Sequence, residues 1–182
     1  MLAPLFDVRV LLGSESDSIY ANFLLEVLRD TYVRYDVSVI SCHRNAGEDF
    51  EKFVKKIEER IIVFIGGMSL AAPGIIESIL RNTIKYDHIV FGVPTDKAAR
   101  SAIEDLPLGT AIITSGLNEI SIKHSIVNSA LAVAKLAAML GNNEVFSGLA
   151  DWYSKTNEKK PIIPSVKLAN GLIPEKNKEE KK

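Results

Sequence analysis

Val8-Arg9-Val10-Leu11-Leu12 runs straight into Gly13-Ser14-Glu15-Ser16-Asp17-Ser18. The first five residues are short, apolar and β-branched, which predicts a buried strand. The next six are polar and open with glycine. From Ser18 to Thr31 the apolar residues Ile19, Phe23, Leu24, Val27 and Leu28 recur at helical spacing. Strand, polar loop, helix is the repeating unit of a parallel α/β sheet.

The same unit recurs along the chain. Tyr35–Ile40 reads as a second strand and Glu48–Glu59 as a helix with Phe50, Phe53, Val54 and Ile57 on one face. Ile61–Ile65 is a third strand, ending at Gly66-Gly67, and Pro73–Leu80 a helix with proline in its first turn. His88–Val93 and Thr110–Thr114 are further strands. Asn118–Leu140 is the longest helix, with Val127, Leu131, Ala134 and Ala138 on one face and Gly141 as its C-cap signal. An extra C-terminal helix spans about Asn143–Lys155, with Val145, Phe146, Leu149 and Trp152 apolar. The alternation predicts a doubly wound parallel sheet. One α/β domain is expected over residues 1–157. Residues 158–182, with Pro161, Pro164 and Pro174 and a Lys/Glu-rich end, are expected to form an extended, partly disordered tail.

The 182 residues suffice for one domain with a full core, and a 47% hydrophobic, 25% charged composition is that of an ordinary globular protein. A net charge of −1 offers no broad basic field, so nucleic acid is not expected as a partner. Cys42 is the single cysteine, so no intrachain disulfide can form, which fits a cytoplasmic setting. No signal peptide or membrane span is expected.

Open parallel sheets bind ligands at the carboxyl ends of their strands. Two polar loops fall there. In the first, Gly13 permits close backbone approach and Ser14, Ser16 and Ser18 offer hydroxyls beside a helix start that favours anions. Asp17 would repel phosphate and suits sugar hydroxyls instead. Serine and aspartate are also common N-caps, and capping alone explains any one of them. The second loop is Ser41-Cys42-His43-Arg44. The imidazole of His43 can give or take a proton, and Arg44 can fork onto a phosphate or carboxylate. A surface His-Arg pair bonded to nearby loops accounts for them equally. His88 starts a strand and His124 lies within the long helix, so a three-histidine metal site is not expected. A Cys42–His43 pair is discounted, because neighbours on an extended chain point in opposite directions. A third loop, Gly66 to Gly74, is rich in small residues but holds neither a dinucleotide fingerprint nor a Walker A sequence.

Taken together and in order, these motifs resemble the PurE family of purine biosynthesis. That family carries G-S-x-S-D, S-A-H-R-T-P and G-V-P; here stand Gly13-Ser14-Glu15-Ser16-Asp17, Ser41-Cys42-His43-Arg44-Asn45-Ala46 and Gly92-Val93-Pro94. Asn128-Ser129-Ala130-Leu131-Ala132 and Leu149-Ala150-Asp151-Trp152 echo two helical stretches. The resemblance implies a flavodoxin-like, three-layer α/β/α fold and a homo-octamer, with no metal or organic cofactor. It implies an isomerase that moves a carboxyl group from the exocyclic nitrogen of N5-carboxyaminoimidazole ribonucleotide to C4, through CO2. His43 would be the acid/base. Ser14, Asp17 and Arg44 would bind the ribonucleotide, with Ser16 and Ser41 near the phosphate and Ala71 and Ala72 as apolar walls. The family's third loop reads G-G-A-A-H-L-P-G, and Ala72 is taken to stand at its histidine; Asn45-Ala46 replace T-P. The segment before Pro107 is shorter than the family's. The alternatives are a direct CO2-dependent carboxylase of aminoimidazole ribonucleotide, a related carboxylase acting on another ring, or a catalytically impaired nucleotide-binding subunit.

Overall fold

The computed structural model describes residues 6–45, 47–67, 70–83, 87–96, 99, 110–113 and 119–156. Five parallel strands form one sheet: β1 (Val8–Leu12), β2 (Tyr35–Val39), β3 (Ile61–Gly66), β4 (Ile89–Pro94) and β5 (Ala111–Ile112). Their order is β2-β1-β3-β4-β5, which is the flavodoxin-like order. The register aligns Leu12 with Val39 on one side and Ile65 on the other. The carboxyl ends of β1, β2 and β3 therefore finish level.

Helices cover both faces, as a sheet apolar on both sides requires. Val8, Val10, Leu12, Val63 and Ile65 face one core, packed by α1 (Ser18–Asp30), α4 (Glu119–Met139) and α5 (Asn143–Thr156). Leu11, Ile62, Phe64 and Val90 face the other, packed by α2 (Glu48–Lys55) and α3 (Ala72–Asn82). The alternation of sides along β1 is the period-two geometry of a strand. No helix among the described residues is long and apolar enough to cross a membrane.

Several boundaries and faces differ from those expected. α2 stops at Lys55, not Glu59. Leaving the helix lets Ile57 drop into the core and lets the buried Glu59 accept from Arg9 Nη2 at 2.8 Å. Arg9 also pairs with Asp36. On α1, Ile19 in the first turn is 62% exposed. On α4 the buried positions are Ile122, Ile126, Ala130, Val133, Ala134 and Ala137, rotated from the expected face, with Val127, Leu131 and Ala138 only half-buried. That helix packs against α1, α5 and the sheet, so its pattern is apolar nearly all round. On α5, Phe146 is 69% exposed and Gly148 is buried instead. A Cβ at Gly148 would lie 2.7 Å from the Thr31 carbonyl, so glycine lets α5 seat directly on the end of α1. Gly141 ends α4 with φ 100°, its N–H bonded to Ala138 O and that of Asn142 to Ala137 O. This is the Schellman arrangement, which satisfies the last carbonyls. Thr114, Asn118, the segment before Pro107 and the tail 158–182 lie outside the described residues.

Candidate active site

A cleft of about 600 Å³ opens at the carboxyl ends of β1 and β3, where the strand order reverses. Ser14, Ser16, Asp17, Ser41, His43 and Arg44 all line it. The six residues singled out from the sequence thus meet in one place, although they come from two loops about thirty residues apart. The loops are tied together directly: Arg44 Nη2 donates to the Gly13 carbonyl at 3.1 Å.

The first loop folds as a short 3-10 turn, Glu15–Asp17, leading into α1. Ser14 caps it, its Oγ accepting from the Ser16 N–H at 3.4 Å and from the Ser16 hydroxyl at 3.1 Å. Asp17 occupies the N-cap of α1 but makes no side-chain cap bond. Its side chain turns inward and is 7% exposed. Thr95 Oγ1 donates to Asp17 Oδ1 at 3.4 Å. The alternatives open from the sequence therefore divide: Ser14 is a cap that also lines the cleft, and Asp17 is no cap. Burial pushes the Asp17 carboxyl above its ordinary range, and the Asp96 charge adds to this. A backbone hydrogen bond from Ser14, the Thr95 hydroxyl and the Arg44 guanidinium oppose the rise. Ser18 does not line the cleft.

The second loop is a turn over Cys42, His43 and Arg44. Ser41 and Asn45 clasp its ends: the Ser41 N–H donates to Asn45 Oδ1 at 3.0 Å, and the Asn45 N–H to the Ser41 carbonyl at 2.8 Å. Ser41 Oγ accepts from the Arg44 N–H at 3.3 Å. The serine thus shapes the loop as well as facing the cleft. His43 and Arg44 are exposed, at the mouth. The discounted Cys42–His43 pairing needs correction. The chain is turned here, not extended, and Cys42 Sγ lies 3.9 Å from His43 Nδ1. Burial pushes the Cys42 thiol up, which disfavours the nucleophilic thiolate.

The third loop contributes Gly66, Gly67, Leu70 and Ala72 to the wall. Ala71 does not line the cleft, contrary to expectation. Counted back from Pro73-Gly74, the histidine of G-G-A-A-H-L-P-G stands opposite Ala71, and its leucine opposite Ala72. Ala72 is accordingly a buried core position, 2% exposed, at the start of α3. Met68, Ser69 and Ala46 lie outside the described residues.

Thr95 and Asp96 are among the cleft residues that had not been singled out. They follow β4 immediately and stand at the same sheet end as the other loops. The signal was present: polar residues directly after Gly92-Val93-Pro94. Asp96 Oδ1 accepts from the Ala99 N–H at 2.8 Å. A Cβ on Gly67 would overlap Asp96 Oδ2 and lie 2.8 Å from its Cγ, so glycine there lets the two loops touch. His88 sits at the opposite end of the sheet with its side chain buried, Nδ1 3.3 Å from Asp87. His124 lies on α4. Among the described residues no three His, Cys, Asp or Glu side chains cluster to hold a metal ion.

Comparison with known proteins bears on this cleft. A family model described as AIR carboxylase matches residues 7–159. A Thermotoga maritima protein named N5-carboxyaminoimidazole ribonucleotide mutase is 31% identical over 121 residues, covering 61% of this chain and 66% of that one. The Escherichia coli K12 protein of the same name is 29% identical over 154 residues, covering 80% of this chain and 84% of its own. Among solved structures, Treponema denticola PurE superposes with a TM-score of 0.63 at 19% identity, over 81% of this chain and 89% of that chain, a likeness of fold.

Proposed function

The chain belongs to the AIR carboxylase family, and from that premise we infer that it converts N5-carboxyaminoimidazole ribonucleotide into 4-carboxy-5-aminoimidazole ribonucleotide, an isomerisation in purine biosynthesis. The observation that carries the reading is the meeting of His43 and Arg44 with Ser14 and Asp17 in one cleft at the switch point of the sheet.

The charges suggest how the ribonucleotide lies. Arg44, at the mouth beside the Ser14, Ser16 and Ser41 hydroxyls, suits the phosphate. Asp17, buried, would repel phosphate when ionised and suits the ribose hydroxyls, whose O–H groups it can accept. The imidazole of His43 then faces the ring. As imidazolium it protonates the carbamate nitrogen. The N–C bond breaks, its electron pair staying on nitrogen, and CO2 leaves. The aminoimidazole is now an enamine-like nucleophile, and C4 attacks the trapped CO2. Neutral His43 removes the C4 proton and returns to imidazolium. Protons and electrons balance within the substrate and one imidazole. Phe64, Leu70 and Ala72 supply apolar wall on which CO2 can be held away from water. Cys42 Sγ, beside Nδ1, leaves Nε2 free for the substrate.

The test offers the purified protein N5-carboxyaminoimidazole ribonucleotide, and separately aminoimidazole ribonucleotide with bicarbonate. C4-carboxylated product from the first alone supports the mutase. Product from the second at low bicarbonate would make the protein a direct carboxylase. If neither reacts while ribonucleotide still binds, the catalytic reading falls.

A further inference from the structure

We propose that Thr95 is the positioning residue for Asp17: its hydroxyl orients the Asp17 carboxylate in the cleft, against the neighbouring charge of Asp96. The proposal rests on the reading above that Asp17 binds the ribose hydroxyls.

Asp17 gets no orientation from its own helix, since it makes no side-chain cap bond. Besides the backbone of Ser14 in its own loop, the side chain that holds it comes from 78 residues away, just after β4, where Thr95 Oγ1 donates to Oδ1 at 3.4 Å. Thr95 can serve as a fixed point. It is 6% exposed, and its N–H is held by the Gly66 carbonyl at 3.0 Å, which continues the β3–β4 ladder by one residue. The next residue works the other way. Asp96 is pinned by the Ala99 N–H and lies against Gly67, so its charge cannot swing out of the cleft without losing that bond.

The groups facing Asp17 are thus Thr95 and Asp96 from just after β4, Arg44 from the second loop and Ser14 from its own loop. Burial already disfavours the ionised carboxylate. The Ser14 backbone, Thr95 and Arg44 favour it and Asp96 disfavours it. The balance matters for binding, because an ionised carboxylate accepts from both hydroxyls of a diol, whereas a protonated one has given up acceptor capacity.

The test reads Asp17 directly. The C=O stretch of its protonated carboxyl is followed against pH by infrared difference spectroscopy and assigned by its loss in Asp17→Asn. Aminoimidazole ribonucleotide affinity is measured in parallel. Thr95→Val keeps the shape and removes the donor, so the Asp17 midpoint should rise by about half to one pH unit. Thr95→Ser should restore it. Asp96→Asn should lower it by a similar amount. At the pH of the wild-type Asp17 midpoint, Thr95→Val should raise KM several-fold and leave kcat nearly unchanged. A midpoint that stays in place in Thr95→Val, or moves the same way in Thr95→Val and Asp96→Asn, overturns the proposal. Should Thr95→Val fail to fold, the comparison of wild type with Thr95→Ser and Asp96→Asn decides: an unmoved midpoint in Asp96→Asn overturns it and a lowered one supports it. If midpoints shift as stated but affinity ignores them, the positioning of Asp17 stands and its ribose role is lost.

Discussion

Gly67→Ala is the substitution most sharply constrained by the cleft. Gly67 does not have a positive φ, so alanine is allowed by the backbone there. The obstacle is a neighbour. The new methyl would overlap Asp96 Oδ2 and sit 2.8 Å from Cγ and 3.2 Å from Thr95 Oγ1. Ordinary contact is about 3.5–4.0 Å, so the Asp96 carboxylate must turn away. Turning it breaks its bond to the Ala99 N–H. Loss of such a hydrogen bond costs about 1 kcal/mol, and at this chain length about 1 kcal/mol lowers Tm by about 2–4 °C. Asp96→Ala loses the same bond and costs about the same. The double variant loses the bond once and has no clash, so it should match Asp96→Ala alone. The singles then sum to about 2 kcal/mol while the double loses about 1 kcal/mol, a coupling of about 1 kcal/mol, beyond the scatter of independent sites. Urea denaturation of the four proteins measures it. Additive losses would refute the idea that Gly67 is glycine because of Asp96.

Asp17→Asn should stabilise the fold while weakening ribonucleotide binding. Because burial raises the folded carboxyl above its ordinary 3.8, the folded chain takes up that proton before the unfolded chain does. The cost of the buried charge is full above the raised value and fades as pH falls through it towards 3.8. The Tm gain of Asp17→Asn should therefore be largest at pH 7 and shrink towards pH 4; a constant gain would count against burial as the cause. Gly148→Ala meets the Thr31 backbone at 2.7 Å, and backbone cannot step aside cheaply. Overpacking of about 1–3 kcal/mol outweighs the propensity gain of under about 1 kcal/mol, so thermal melts should show a lower Tm; a raised Tm would mean that α5 is free to lift. If the chain assembles as a homo-octamer, its mass by light scattering should be eight times 20.0 kDa, and a stable monomer would contradict it.

The order of strands and helices could be read because each strand is a short apolar run and each loop begins with residues that cannot continue it. What periodicity conveyed poorly was rotation. α4 is apolar on several sides, so its pattern does not say which side meets the sheet, and Ala130 and Val133 face the core where Leu131 was expected. Ile19 and Phe146 fit a helical stripe yet stand exposed, one in the first turn of α1 and the other beside Gly148, which makes the close contact in its place. In the site, Ser14, Asp17, His43 and Arg44 were legible as polar residues at strand ends. Thr95 and Asp96 obey the same rule after β4 but lie next to a proline read only as the end of Gly92-Val93-Pro94. The closeness of Cys42 to His43 depends on the turn between Ser41 and Asn45, a clasp that spacing along an assumed extended chain cannot show.

On this reading His43 moves the proton in a cleft the other residues build. His43→Asn isolates that step, with turnover of N5-carboxyaminoimidazole ribonucleotide and its Kd measured on the same preparation. His43 is exposed at the mouth and its ring makes no bond that holds the fold among those described, so the variant should fold. General acid/base catalysis contributes about 10²–10⁴-fold. The account predicts a kcat lower by that factor with Kd within about threefold of the wild type. A variant that turns over at the wild-type rate, with ribonucleotide still bound, would contradict it.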